Sequence, residues 1–559
     1  MSWSRRRFLE TIGIAGGAAA VYETMTALGL IRLPEALAKP PELPSGFGSG
    51  KSVVILGAGI AGMTAALELK KIGFTVTLLE AQERTGGRNR TVRAGDTIVE
   101  VNAGGRRTEQ TCEFDKRDDL YFNAGPGRLP YHHTEALRYC KELGVKLEVY
   151  VMSNQANLYS TPDVFPQNKA MPRRRVANDT RGYIAELLAK CVTGGALDQQ
   201  LSATDKASLL SLLTSFGDID PKSYFRYKGS SRSGYVVEPG VATPGEIVDP
   251  IPFNELLTSR FWLHRFYQPE DYEWQPTLFQ PVGGMDKLAN AFADRVRDVT
   301  HIGREAIMVR TSDKGVTVRH CKSGTKSDPQ DVQEVKADYC ISTIPLPLLR
   351  DIDNNFSIKY LNAISAVEFA HTCKVGWQAD RRFWEQDDEI YGGISFINHN
   401  ITQMWYPSAG YFGDKGVLTG AYNFEARAEY MTALAPAQRK QLALEGAERL
   451  HPTFRSAVPV DKGITIAWKN IPYQTGGWAA WDHTDRQYYA TLLQPDGRFW
   501  VAGDQVSYLD GWQEGAIRSA WWVMDGITKP QMLRAAPRIL TAPDVRAMTS
   551  GTSAVEEEE

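Results

Sequence analysis

The chain has 559 residues, with Lys+Arg 63 against Asp+Glu 66 and a formal net charge of −3, which removes the electrostatic case for nucleic acid as a partner. Its length allows roughly two to four domains with ample chain for a core, and its composition is that of a globular protein. Six cysteines (Cys112, Cys140, Cys191, Cys321, Cys340, Cys373) show no C-x-x-C pair, so no zinc site and no disulfide framework is signalled, with one or two bridges left open.

Ser4-Arg5-Arg6-Arg7-Phe8-Leu9, the weakly apolar Thr11–Val21 and Ala36-Leu37-Ala38 read as a twin-arginine signal with its cleavage site. Residues 1–38 are therefore expected to be removed and the mature chain to be periplasmic or secreted. No later stretch reaches about 18 uninterrupted apolar residues, so no membrane span is expected in it. Residues 39–50, rich in Pro, Gly and Ser, form a linker.

Val53-Val54-Ile55-Leu56 is an apolar run suited to a buried parallel strand, and Gly57-Ala58-Gly59-Ile60-Ala61-Gly62 begins where it stops. Gly57 permits the turn, Gly59 lets a pyrophosphate approach the backbone, and Gly62 lets the next helix, Ile60 to Ile72, pack on the strand. The helix would aim its free N–H groups and positive end at the phosphates. Thr75–Leu79 is a second strand that ends in Glu80, placed to accept hydrogen bonds from an adenosine ribose. Ala81 follows it, and then Gly86-Gly87-Arg88.

Residues 51–150 thus open a dinucleotide-binding domain, interrupted by a polar insertion, Gly104–Asp119, expected as an exposed loop. From 151 to 270 helical segments such as Arg181–Val192 and Ala207–Phe216 suggest an inserted cap. A helix to Val296, a hairpin of Ile307–Arg310 with Val316–His320, and the buried strand Ala337–Thr343 return the chain, over 271–350, to the nucleotide-binding sheet. Residues 351–482 mix strands with a helix at Pro436–Leu450, as a substrate domain would. Residues 483–530 add a strand ending in Gly503-Asp504 and a helix from Gln513, before a tail at 531–559 that closes on four glutamates. The expected fold is α/β (α+β), a Rossmann-type FAD-binding domain with a mixed-sheet substrate domain and a helical cap.

These pieces, from Val53 to about Ile527, resemble the flavin-containing amine oxidase superfamily, and within it the bacterial and snake-venom L-amino-acid oxidases. The resemblance implies non-covalent FAD held by Gly57, Gly59, Ile60, Ala61, Gly62, Glu80, Ala81, Gly87, Arg88, Gly127, Arg128, Ala306, Gly503, Asp504, Trp512, Gln513 and Ala516. It implies that Arg128, in Asn123-Ala124-Gly125-Pro126-Gly127-Arg128-Leu129-Pro130, clamps a substrate carboxylate, a task suited to a planar guanidinium. Gly127 stands where relatives have methionine, which is expected to widen the space beside the flavin. Lys374 is similar to a lysine that holds a water against flavin N5, and Tyr406 to a tyrosine that donates to the carboxylate. The Gly511 carbonyl would take the substrate amine. Trp478, after Gly476-Gly477, occupies the place of a flavin-linking cysteine and would wall the side-chain pocket.

The activity so implied is FAD-dependent oxidative deamination of L-amino acids by hydride transfer from Cα to N5. The products would be a 2-oxo acid, ammonia and hydrogen peroxide, and the partners are the amino acid and dioxygen, with a homodimer as the expected assembly and no metal. Alternatives are a 2-monooxygenase that decarboxylates to an amide, a plain amine or polyamine oxidase, a periplasmic dehydrogenase with another electron acceptor, and a flavin-free binding protein on the same fold.

Overall fold

The structure, a computed structural model, describes residues 42–530 apart from 162–164, 166–168, 326–328 and 482–485. The signal, the start of the linker and the C-terminal tail lie outside the described residues. Among those described, no helix is long and apolar enough to cross a membrane, and all six cysteines are free thiols.

A five-stranded sheet lies at the centre of the nucleotide-binding half, in the order 300–301, 75–79, 52–56, 339–342, 499–501, with every neighbouring pair parallel. Its strands come from four regions of the chain. The central strand Ser52–Leu56 is buried from Val53 onward because it has a strand on each side and helices over its face. Ile60–Lys71, Asp286–Val296 and Gln513–Thr528 supply that cover, with Ile60, Met63, Leu288, Phe292, Ile517 and Met524 in one apolar cluster with Val53 and Ile55. A four-stranded sheet built on Arg304–Ser312 and Gly315–Lys322 packs beside it through Val309 and Val318.

The second half carries a seven-stranded mixed sheet in the order 171–172, 158–160, 394–397, 403–405, 416–424, 372–379, 463–467. All eight residues of Thr372–Ala379 are buried, including Lys374 and Gln378. That strand is paired antiparallel on both sides, with Lys374 opposite Tyr422 on one and Ile466 on the other. The helix Pro436–Leu450 covers the far face with Ala443, Leu444 and Ala447. Arg439 of this helix forms a bidentate ion pair with Glu100, both fully buried, and Glu100 also accepts from the Ala467 N–H at 2.9 Å. Removing one partner of such a pair strands the other charge and costs about 3–5 kcal/mol.

The region expected as a helical cap holds Arg173–Thr193 and Ala203–Gly217, both longer than the periodicity alone predicts, and it also donates the strands 158–160 and 171–172 to the seven-stranded sheet. The Gly104–Asp119 loop expectation is corrected in part. Arg107–Thr111 is a strand paired with Thr97–Val101, a hairpin whose alternation was hidden because one face of Arg107–Thr111 is open to solvent.

Candidate active site

A cavity of about 2430 Å³ runs between the two sheets, from the Gly57 turn to the aromatic face of the seven-stranded sheet. A drug-sized ligand needs about 300–1,000 Å³, so there is room for a dinucleotide and a substrate together.

The nucleotide end follows from local backbone chemistry. Gly57 has φ +98°, in the left-handed region that favours glycine. A Cβ on Gly62 would meet the Gly57 carbonyl oxygen at 2.0 Å, so the helix can sit this close only without a side chain there. A Cβ on Gly59 would meet nothing within 4 Å and would project into the cavity. The helix begins at Ile60 with no side-chain cap and no acid in its first turn, which leaves its donors for an anionic ligand. Glu80 is buried and accepts the Ala58 and Gln82 N–H groups at 2.7 Å each, one per oxygen. Burial nonetheless raises its pKa, and each oxygen keeps a lone pair for a hydroxyl. Ala81, Gly87, Ala306, Gly503, Gln513 and Ala516 line the same cavity.

Arg88 is not a free cation for phosphate. It is bidentate to Asp504 and donates to the Gly477 carbonyl at 2.6 Å, while Asp504 accepts the Gly511 N–H at 3.0 Å. These three links fix Gly511, at φ +74°, against Trp478. Both line the cavity, as does Trp512, which precedes the helix Gln513–Thr528.

The substrate end is aromatic and carries two buried basic side chains. Arg128 is only 6% exposed, and its guanidinium carbon lies 3.5 Å from the ring centre of Trp274, 4.8 Å from that of Trp512 and 5.2 Å from that of Trp405. Among the described residues no carboxylate pairs with it, and its Nε has no hydrogen-bond partner. Burial drives its pKa down to about 10, although Tyr150, Tyr422 and Glu273 lean the other way. Each indole contributes about 2 kcal/mol at best, against several kcal/mol for desolvating the charge, so the cage holds Arg128 without neutralising it. What it lacks is an anion.

Lys374 lies beside it, its Nζ donating to the Gly125 carbonyl at 2.5 Å and the Asn123 carbonyl at 3.3 Å and lying over the Tyr422 ring at 4.3 Å. Burial first, and then Arg128, lowers its pKa from 10.5 to about 7. Beyond Arg128, His132 stacks on Tyr272 with ring centres 4.2 Å apart, and His133 meets Trp512 edge-on at 4.8 Å. Burial lowers the pKa of both, that of His133 to about 2 with further help from His132, Arg518 and Arg128.

Two expectations are corrected. Tyr406 does not line the cavity. It is buried on the far side of the sheet, where its hydroxyl donates to Ser395 at 2.7 Å and lies 2.6 Å from Nε2 of His451. Successive strand residues face opposite ways, so with Trp405 on the cavity wall the next residue turns away. Gly127 does not widen the space, because a Cβ there would lie 2.8 Å from the Trp405 ring, which fills the volume. Sequence reasoning missed Trp274, Trp405, Tyr422 and Glu273, all on the cavity wall, and Asp510, whose carboxyl is raised to about 7 by burial and by Asp504. Only the ladder that sets Tyr422 opposite Lys374 identifies it, and no local motif does.

Residues 60–523 match the family described as flavin containing amine oxidoreductase. The chain belongs to this family. It is a flavin-dependent oxidoreductase with FAD as its cofactor, and the bare helix end, the open Cβ position at Gly59 and the ribose-ready Glu80 fit that group. The chain is 27% identical over 507 residues to a flavin-dependent L-tryptophan oxidase of Lentzea aerocolonigenes, covering 84% of this chain and 96% of that one. It is 26% identical over 490 residues to a putative L-amino-acid oxidase of Bacillus subtilis (strain 168), covering 84% and 93%. Among solved structures, cyclohexylamine oxidase from Brevibacterium oxydans IH-35A superposes with TM-score 0.55 at 15% identity, over 86% of this chain and 99% of that one. Wild-type putrescine oxidase bound to putrescine gives 0.53 at 17%, over 85% and 98%. At these identities the structural likeness speaks for the fold, which this family shares across substrates.

Proposed function

We propose that this flavoenzyme oxidatively deaminates L-amino acids to 2-oxo acids, with release of ammonia and hydrogen peroxide. The observation that carries this reading is Arg128, a buried guanidinium in an indole cage that no carboxylate pairs with among the described residues, on the wall of the cofactor cavity. A substrate carboxylate supplies the missing charge through bidentate, charge-assisted hydrogen bonds. A plain amine offers no such group, and its ammonium would be repelled.

The chain's residues then act by orientation and proton handling. Arg128 fixes the carboxylate, and Tyr422, whose ring lies against Lys374 and whose hydroxyl is electrostatically coupled to Arg128, takes the hydrogen-bonding part that sequence reasoning gave to Tyr406. The Gly511 carbonyl, set by Asp504, receives the amine. Lys374, neutral above about pH 7, holds a water through its lone pair while its N–H groups stay on the Gly125 and Asn123 carbonyls. Trp405, Trp274 and Trp512 exclude bulk water around the reacting carbon. Bound FAD supplies two-electron oxidation of the Cα–N bond and passes the electrons to dioxygen. Trp478, where a linking cysteine would stand, supports non-covalent FAD, as does a cavity wall that holds no cysteine among the described residues. The Arg5-Arg6-Arg7 leader supports export of the folded, loaded enzyme, and the domain bounds drawn from sequence stand as part of the same proposal.

The test is a peroxide assay over the twenty L-amino acids, their decarboxylated amines and a few D-isomers. The expected outcome is stoichiometric 2-oxo acid, ammonia and peroxide from L-amino acids. Preferred turnover of the amines refutes the proposal, as do amide and carbon dioxide as products.

A further inference from the structure

His132, His133 and Glu273 each bring a metal-ligating atom to one place, all within 4.8 Å of one another. Both ring nitrogens of both histidines are buried without a hydrogen-bond partner among the described residues, and His133 is 1% exposed. A neutral imidazole carries one donor and one acceptor, and each buried polar atom left unmade costs about 1–3 kcal/mol. Against a total stability of about 5–15 kcal/mol, two unsatisfied rings side by side ask for an occupant.

We propose that His132, His133 and Glu273 form a binding site for a zinc-class divalent cation on the wall of the substrate end of the cavity. The donor set is two imidazoles and one carboxylate, which suits a tetrahedral ion with one open position and does not suit calcium or magnesium, which take oxygen ligands. Ligand atoms about 2.0–2.1 Å from zinc lie about 3.3 Å from each other, so the three must close by at most about 1.5 Å. Glu273 sits on the short turn Tyr272–Trp274 and can supply that movement by side-chain rotation. The rings are held in place by Tyr272 on one side and Trp512 on the other. Two arginines face the pair. Arg518 is already bound to Glu514 at 2.8 Å, and Arg128 awaits an anion. Glu273 lines the cavity, so the open position of the ion faces the same space as Arg128. The site does not depend on which substrate the flavoenzyme oxidises.

Untagged holoenzyme, stripped with a chelator and titrated with Zn2+ by calorimetry, tests this, with metal content measured after dialysis. One tightly held ion per chain is expected. His133→Ala and Glu273→Gln should each weaken binding more than about 100-fold, beyond the loss that outer-shell changes bring. His301→Ala, at an exposed position on the nucleotide-binding sheet, should leave it unchanged. An intact flavin spectrum reports that each variant is folded, and Glu273→Gln decides alone if His133→Ala is not. No retained ion, or unchanged affinity in Glu273→Gln, overturns the proposal and leaves ordered water as the occupant.

Discussion

The two ends of the cavity are built in different ways. The core of the nucleotide end is one continuous stretch, Ser52 to Arg88, in which strand, turn, helix, strand and acid follow each other, the turn and helix acting through their backbone and Glu80 through its carboxylate. The substrate end draws Arg128, Trp274, Lys374, Trp405, Tyr422 and Trp512 from separate segments, and its chemistry depends on side chains that meet only after folding. Cofactor binding therefore starts from a local motif, which Ala306 and residues from 503–516 complete. Substrate choice is a property of the packing of two sheets.

The sharpest way to break that contrast is at the two glycines. Gly59→Ala is expected to fold normally, because its Cβ meets no protein atom, and to lose FAD, because the methyl stands in the ligand's path. Gly62→Ala forces a 2.0 Å contact with backbone and is expected to lose FAD and also about 1–3 kcal/mol of stability. Flavin absorbance and urea unfolding of the two apoproteins check this. Equal stability losses would show that Gly59 is a packing glycine like Gly62.

Next in size is Lys374→Met, which should keep flavin and cost about 10²–10⁴-fold in turnover, the usual worth of a positioned proton carrier. Since the lysine pKa is lowered from 10.5 to about 7, the native enzyme holds the neutral amine above that pH, so kcat/KM should rise through about pH 7. The variant should lack that limb. Stability carries the same sign. Between about pH 7 and 10.5 the unfolded chain binds the proton that the native chain has released, so the cost of burying this group is full below pH 7 and fades as pH rises to 10.5.

The smallest effects separate the two tyrosines. Tyr422→Phe should lower kcat/KM about 5- to 10-fold, the worth of one hydrogen bond, with little change in stability. Tyr406→Phe should do the reverse, leaving kinetics intact while costing about 1–3 kcal/mol, because Ser395 and His451 lose their buried partner. Chemical denaturation beside steady-state kinetics reads both.

The same contrast explains what the sequence could reveal. The Rossmann-type strands, the hairpin at 304–322 and the helix from Gln513 were legible because period and glycine placement are local signals. Arg128 and Lys374 were legible through resemblance. Tyr406 was misplaced because Trp405 and Tyr406 are adjacent, and a one-residue choice of face on a strand cannot be made without the partner strands. Trp274 lies on a single-turn helix with no periodicity, and the Arg107–Thr111 strand is polar on its open face, so neither announces itself.

The most direct test is the ratio of kcat/KM for an L-amino acid to that for its decarboxylated amine, measured in the native enzyme and in Arg128→Met at equal flavin content. Loss of one partner of a buried charge pair is worth about 2–5 kcal/mol, so the ratio should strongly favour the amino acid in the native enzyme and fall about 30- to 5,000-fold in the variant. A ratio that does not change would mean that the caged arginine is not the carboxylate clamp.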